Sequence, residues 1–319
     1  MNNRDVCICS GGGDYSLFHN VVSLTNLFDA WNEFKRGKRK KKDVSQFELR
    51  LEENLFELHE ELRSKTYRHG PYEDFYVCDP KRRHIHKASI RDRVMHQALF
   101  RVLYKVFDKH FIYDSYSSRN DKGTHKGVSR LNGVIRKVSK NWKKTTWVLK
   151  CDVRKFFDSI DHDILRKLII QKVGDKDILW HIDIIFDSFE KEKGKGLPLG
   201  NVTSQLFANI YLNELDQFAK HTLKAKYYFR YCDDFVIVHN DRSFLEGIVK
   251  KIEQFLKNNL QLDLHPNKVE VRKVSQGIDF LGYVILPHVI VLRTKTKRRI
   301  SRKIKEGAAA YNKKKISQI

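Results

Sequence analysis

Apolar positions along this chain follow two rhythms, and they change over several times. Leu24–Phe34 carries apolar residues at helical spacing. So does the series Phe47, Leu51, Leu55, Leu58 and Leu62, which steps by three and four with charges between, and predicts one helix capped by Asp43 or Ser45. The basic stretch Lys35–Lys42 separates the two, as a solvated turn or as a contact to a nucleic-acid backbone. From Pro71 to Ile90 apolar and basic residues alternate through Phe75, Val77, Lys81-Arg82-Arg83 and Ile85, which predicts a twisted hairpin. Helical spacing returns over Arg91–Phe107. Trp147–Asp152 reads as a strand, and Ile164, Leu165, Leu168 and Ile169 as the apolar side of a helix. Pro198–Gly200 breaks the chain before a helix over Ser204–Phe218. The apolar runs Tyr227–Phe229 and Phe235–Val238 flank Tyr231-Cys232-Asp233-Asp234 as the strands of a hairpin with an acidic tip. A helix over Phe244–Leu256, strands around Val269–Val274 and Phe280–Ile285, and a basic, partly helical tail from Arg293 to Lys315 complete the pattern. Hairpins mixed with helices, without regular βαβ units, define an α+β fold.

The 319 residues are 41% hydrophobic, enough for a core and for two or three subdomains. Charge narrows the partners. A formal net charge of +23 opposes compaction by self-repulsion, and a polyanion relieves it. No apolar run approaches the roughly 20 residues that span a bilayer, and the N-terminus lacks a signal-peptide core, so nucleic acid is favoured over a membrane. Five cysteines, Cys7, Cys9, Cys78, Cys151 and Cys232, are odd in number and scattered, which argues for a reducing, cytoplasmic compartment without a disulfide framework. Cys7 and Cys9 with His19 match no standard zinc spacing. Gly11-Gly12-Gly13 lacks the Gly-Lys-Ser/Thr ending of a phosphate loop.

Chemistry concentrates on acids. Asp233 and Asp234 are adjacent in a tight turn, where their charges repel unless a cation offsets them. A solvated acidic turn is the plainer reading of that motif alone. Asp152, however, ends a strand beside Phe156-Phe157, where an acid is costly without a partner. If the two strands are sheet neighbours, Asp152 and Asp233 converge. Two-metal nucleotidyl transfer needs such carboxylates, holding hard cations roughly 3.5–4 Å apart.

With these motifs in order, the chain resembles a reverse transcriptase from about Leu24 to Lys305. Cys151-Asp152-Val153-Arg154-Lys155-Phe156-Phe157 resembles the first palm motif of that family. Leu197-Pro198-Leu199-Gly200-Asn201-Val202-Thr203-Ser204-Gln205 is similar to the motif opening the helix under the templating pair. Tyr231-Cys232-Asp233-Asp234 resembles the acidic hairpin, Phe280-Leu281-Gly282-Tyr283 the primer grip, and Lys81 to Arg93 the fingers segment facing the triphosphate. The resemblance implies a right-hand polymerase: an N-terminal helical extension at 1–70, fingers at 71–146, a palm at 147–292 and a short basic thumb at 293–319.

It also implies roles. Asp152, Asp233 and Asp234 would be catalytic and, with the Val153 backbone, would hold two Mg²⁺ ions, with Mn²⁺ as a substitute. Lys81, Arg83, Phe156, Phe157, Leu199, Gly200 and Gln205 would contact the nucleotide, with Phe157 as a steric gate against the 2′-hydroxyl. Tyr231, Leu281, Gly282, Lys297, Arg298 and Arg299 would contact primer and template. RNA template, DNA primer and deoxynucleoside triphosphates would be the partners.

The second motif departs from the common pattern Gln-Gly-x-x-x-Ser-Pro. Its form, together with Phe47–Tyr72, Asp114-Ser115-Tyr116, Gly123-Thr124-His125 and Asn209-Ile210-Tyr211-Leu212-Asn213, resembles reverse transcriptases of diversity-generating retroelements. That type implies cDNA with errors at template adenines, replacement of part of a target gene, and a small basic oligomeric accessory protein. The alternatives are a group II intron-like, retron or defence-associated enzyme, or a non-catalytic RNA-binding scaffold.

Overall fold

The computed structural model describes residues 16–79 and 81–312. Cys7, Cys9, Gly11-Gly12-Gly13 and Lys313-Lys314-Lys315 lie outside the described residues. In chain order the elements are α1 (Leu17–Val22), α2 (Leu24–Phe34), α3 (Lys42–Leu49), α4 (Leu51–Arg63), β1 (Glu73–Val77), β2 (Arg83–Lys87), α5 (Ile90–Phe107), α6 (Thr124–Val138), β3 (Trp147–Asp152), α7 (Phe156–Ser159), α8 (His162–Ile170) and α9 (Lys176–Asp187). There follow α10 (Val202–Gln217), β4 (Tyr228–Tyr231), β5 (Asp234–His239), α11 (Arg242–Leu260), β6 (Glu270–Lys273), β7 (Ile278–Phe280), β8 (Tyr283–Leu286), β9 (Val289–Leu292) and α12 (Thr294–Asn312). The fold is α+β, and every strand pairing within its sheets is antiparallel.

Three expectations are corrected. The series Phe47–Leu62 is two helices, broken at Arg50, whose ψ of 42° is not helical. The later helix buries the stripe Leu55, Leu58 and Leu62, whereas α3 buries Val44 and leaves Leu49 85% exposed. Neither Asp43 nor Ser45 caps: Lys41 holds the cap position of α3, Asp43 accepts from Val44 N inside the first turn, and Ser45 Oγ donates back to Lys41 O. Phe280–Ile285 is a hairpin rather than one strand, because Leu281 and Gly282 take left-handed φ values of 52° and 87°. Helices α6 and α9 and strand β9 were not anticipated, although Val128, Leu131, Val134, Ile135 and Val138 of α6 stand at helical spacing.

The chain forms two compact units. One comprises the residues up to Lys109 with Arg166–Leu206. Its helices α2 and α5 pack through Leu27, Ala30, Trp31, Val94, Ala98 and Leu99, all buried, and β1–β2 stands as a two-stranded ribbon. The other comprises His110–Leu165 and Phe207–Ile319. Its four-stranded sheet has the order β4-β5-β3-β6, and β7-β8-β9 form a second sheet. Val148, Val236 and Val238 join Val128, Leu131 and Ile135 of α6 in one core cluster. Alternate residues Leu149, Phe235 and Ile237 point to the opposite face and are also buried, and α11 contacts β3, β5 and β6. A strand pair buried on both faces holds its register tightly, since a slip of one residue would invert every side chain. No described helix is long and apolar enough to cross a membrane.

Candidate active site

The register of β3 against β5 sets Asp152 opposite Asp234. Just beyond, Val153 N donates to Asp233 O at 3.2 Å. Tyr231 pairs with Asp234 across β4–β5, so Cys232 and Asp233 alone make the turn. The strand adjacency on which convergence of the acids depended is present: all three backbones meet at one end of one sheet.

That turn is strained and braced. Cys232 has φ of 57°, which costs a residue with a Cβ about 1 kcal/mol. Its carbonyl accepts from Arg230 Nη1 at 3.3 Å. Arg230 is fully buried and forks onto Asp216 of α10, Nε to Oδ1 and Nη2 to Oδ2, both at 2.7 Å. Arg230 Nη1 also donates to Asn209 Oδ1 at 3.1 Å, and Tyr228 Oη donates to Asp216 Oδ1 at 2.8 Å. The Arg230 backbone is held as well, by exchange with Asp114 O and Tyr116 N. Arg230 and Asp216 were absent from the sequence reading. The available signal was an arginine inside an apolar strand pattern, which demands a buried acid. Burial first, and then the Asp216 charge, hold the Tyr228 hydroxyl well above the ordinary phenol range, while Arg230 opposes the shift.

Electrostatics at the acidic end favour a cation. Burial raises the Asp233 carboxyl, and the charge of Asp152 raises it further. Asp234 is pushed up to about 6, first by burial and then by Asp152 and Asp233, while Lys150 opposes the shift. Burial likewise pushes the Cys232 thiol up to about 12, so it stays protonated. Asp152 is 8% exposed, and its Oδ2 accepts from Lys268 Nζ at 2.7 Å. A lysine ammonium thus neutralises the carboxylate that a divalent ion would bind, and the sequence reading missed it. The following segment is pinned too: His265 N donates to Asp152 O, and Arg154 N to Asp263 O. All-oxygen donors carrying excess negative charge suit Mg²⁺ or Mn²⁺. Among the described residues, the group of three whose ligand atoms lie within 4.8 Å of one another is instead Asp74, His84 and His86. The three aspartates are not gathered to that spacing here.

The other predicted residues divide by unit. Phe157, five residues past Asp152, is half-buried and edge-on to Phe156 at 5.5 Å, whereas Phe156 is buried near Tyr211. Any nucleotide contact at Phe156 is therefore through its backbone. Val153 is buried. Tyr231 is half-buried, and its Oη accepts from Thr124 Oγ1 at 3.4 Å. Leu281 and Gly282 form the β7–β8 turn, and Arg293 N donates to Gly282 O. Lys297 and Arg298 are exposed and Arg299 half-exposed on α12, a helix with no buried residue among those described. In the other unit Lys81 and Arg83 are exposed at and beside the start of β2, and Gln205 is exposed on α10. Leu199 O accepts from His86 N at 3.0 Å, and a Cβ at Gly200 (φ 129°) would lie 3.2 Å from His86 O. Glycine permits that close approach to β2. Within Lys81 to Arg93, Asp92 is an internal anchor, accepting from Tyr67 Oη, Ser89 Oγ and Gly70 N.

An antiparallel sheet with aspartates gathered at the end of its central strands is the palm architecture of a right-hand polymerase. The chain belongs to the reverse transcriptase (RNA-dependent DNA polymerase) family, whose model matches residues 78–285, well over half its length. It is 25% identical over 282 residues to protein YkfC of Escherichia coli strain K12, covering 75% of this chain and 73% of that protein. It is 23% identical over 305 residues to the group II intron-encoded protein LtrA of Lactococcus lactis subsp. cremoris, covering 73% of this chain but only half of LtrA. The fold is similar to that of apo telomerase from Candida tropicalis, with a TM-score of 0.54 and 12% identity over 72% of this chain and 49% of that one.

Proposed function

We propose that this chain copies a template-repeat RNA into cDNA with errors directed to adenines, for gene diversification by mutagenic retrohoming. The observation that carries the polymerase reading is the register setting Asp152 opposite Asp234, with Asp233 in the adjoining turn. The retroelement type is supported by Leu199-Gly200-Asn201-Val202-Thr203-Ser204-Gln205, where most relatives have Gln-Gly-x-x-x-Ser-Pro. Leucine at 199 cannot make the amide contacts to sugar or base edge that glutamine makes. One hydrogen bond less is worth roughly 0.5–1.5 kcal/mol, or about two- to tenfold in selectivity.

In this reading Asp152 and Asp233, with the Val153 backbone, hold two Mg²⁺ ions, and Asp234 completes the acidic end near the primer terminus. Bound there, the cations lower the pKa of the attacking hydroxyl and stabilise the leaving pyrophosphate. Phe157 stacks under the sugar and excludes a 2′-hydroxyl. Lys81, Arg83, Leu199, Gly200 and Gln205 serve the nucleotide; Tyr231, Leu281, Gly282, Lys297, Arg298 and Arg299 serve primer and template. Residues 1–70 are an extension, 71–146 fingers, 147–292 palm and 293–319 thumb. A small basic accessory protein completes the cytoplasmic complex.

A second reading has one specific support. The likeness to LtrA favours a group II intron-like enzyme without adenine-directed errors. Primer extension on RNA with Mg²⁺ and deoxynucleotides, followed by cDNA sequencing, separates the two. Errors concentrated at template adenines support retroelement diversification, and a uniform low error rate supports the second reading. Equal activity of wild type and Asp233→Ala would sink the metal-site assignment.

A further inference from the structure

The β1–β2 ribbon carries chemistry that nucleotidyl transfer does not use. Asp74 pairs with His86 across the ladder, and Tyr76 with His84. Side chains alternate along a strand, so His84 and His86 share one face, joined by Asp74 and Tyr76. One ligand atom from each of Asp74, His84 and His86 lies within 4.8 Å of the others. His86 Nδ1 donates to Asp74 Oδ1 at 2.6 Å, and His84 Nε2 lies 3.7 Å from Asp74 Oδ2. The carboxylate sits between two imidazoles, each offering it a different ring nitrogen.

An aspartate–histidine hydrogen bond needs only His86. His84 is nevertheless fixed: its ring stacks on Tyr76 at 4.7 Å and 13°, and it meets the His86 ring at 4.3 Å. The Arg82 guanidinium lies 4.0 Å from the Tyr76 ring centre. His86 is walled by Phe189 at 4.5 Å and Tyr72 at 6.3 Å, and its backbone N–H is held by Leu199 O. Rings already oriented this way lose little freedom on gaining a ligand.

The donor set identifies that ligand. Mg²⁺ takes oxygen ligands, whereas two imidazoles and one carboxylate select a borderline transition metal such as Zn²⁺. Tetrahedral coordination at about 2.0–2.2 Å spaces ligand atoms about 3.4 Å apart. With one ligand atom from each residue already within 4.8 Å of the others, that spacing is reached by shifts of about 1.4 Å or less. Asp74 is exposed, which leaves entry from solvent and a fourth position for water.

We propose that Asp74, His84 and His86 form a transition-metal site, for Zn²⁺ or an ion of similar ligand preference, that staples the two strands of this ribbon. As the metal enters, His86 gives up its Nδ1 hydrogen bond to Asp74 and carries its ring proton on Nε2, which leaves the Nδ1 lone pair for the ion. Through His86 the staple fixes the Leu199 carbonyl, and through β2 the base of the Lys81–Arg83 segment. Metal binding at this ribbon stands or falls independently of the polymerase reading.

The test is calorimetric titration of Zn²⁺ into the chelator-treated full chain, with excess Mg²⁺ present to occupy the aspartates. Wild type should bind one equivalent more than His84→Ala, or bind the last equivalent more tightly by at least the ~10-fold that an outer-shell partner alone is worth. Asp74→Ala should show the same loss. His84 is half-exposed, so folding of its variant is checked by circular dichroism, and Zn²⁺ should raise the melting temperature of wild type but not of His84→Ala. Co²⁺ bound at the site should give visible bands without thiolate charge transfer, unchanged in Cys7→Ser/Cys9→Ser. Equal Zn²⁺ binding by wild type and both ribbon variants overturns the site. So does Co²⁺ absorption that vanishes with the cysteines.

Discussion

Arg230 and Asp216 form a bidentate ion pair with neither side chain exposed, and this pair holds the turn that carries Asp233. The guanidinium reaches three acceptors, Asp216, Asn209 Oδ1 and Cys232 O. Removing one member of such a pair strands a buried charge, which costs about 3–5 kcal/mol. Arg230→Met should therefore lower the denaturant midpoint by that equivalent, and Arg230→Lys should recover only part, since an ammonium cannot fork onto two oxygens. A midpoint within error of wild type for Arg230→Met would show that the pair does not brace the turn.

Those residues also show what was legible in the sequence. Local rules located β3, the acidic hairpin and the main helices, because alternation and helical spacing are set within ten residues. They did not reveal that Asp114-Ser115-Tyr116 and Asn209, noticed only as points of resemblance, close around Arg230. Long-range partners leave no spacing to read. The split at Arg50 was missed for a related reason: Phe47, Leu51 and Leu55 keep one helical period across it, so the spacing carries no sign of a break. Lys268 follows a turn at His265–Asn267 and looks like any of the chain's many basic residues. Only the fold brings it to Asp152.

A divalent ion held by Asp152, as proposed, would compete with Lys268 for its carboxylate. Lys268→Met should tighten Mg²⁺ binding about two- to fivefold, the scale of a part-exposed ion pair. Titrating Mg²⁺ against intrinsic fluorescence or heat measures this directly. An unchanged binding midpoint would mean that the contact does not restrain Asp152.

Asp234 gives the acidic end a pH dependence. Its folded pKa of about 6 lies above the ordinary 3.8, so the folded, metal-free chain holds a proton that the unfolded chain has released between these values. Stability from this group is therefore present at low pH and falls as pH rises from about 4 to about 6, by up to about 3 kcal/mol. If Asp234 helps hold Mg²⁺, as proposed, the ion would need the charged form, so its affinity should rise through the same window and Mg²⁺ should restore stability above it. Asp234→Asn should flatten both profiles. Melting curves from pH 4 to 8, with and without Mg²⁺, check this, and a metal-free chain equally stable at both ends would contradict it.

Phe157 follows Asp152 by five residues and, unlike the buried Phe156, keeps an accessible ring. The T-shaped contact with Phe156 fixes its plane without covering it. If that ring lies under the incoming sugar, it selects by shape, because a 2′-hydroxyl would overlap it. Phe157→Ala should then raise ribonucleotide incorporation relative to deoxynucleotide by about ten- to hundredfold, with little loss of deoxynucleotide use. Phe156→Ala should act differently, lowering stability by about 3–5 kcal/mol through a core cavity and leaving the ratio unchanged. Single-nucleotide extension with each triphosphate separates the two variants. Unchanged discrimination in Phe157→Ala would remove the gate from this position, since a ring that merely packs would affect both sugars alike.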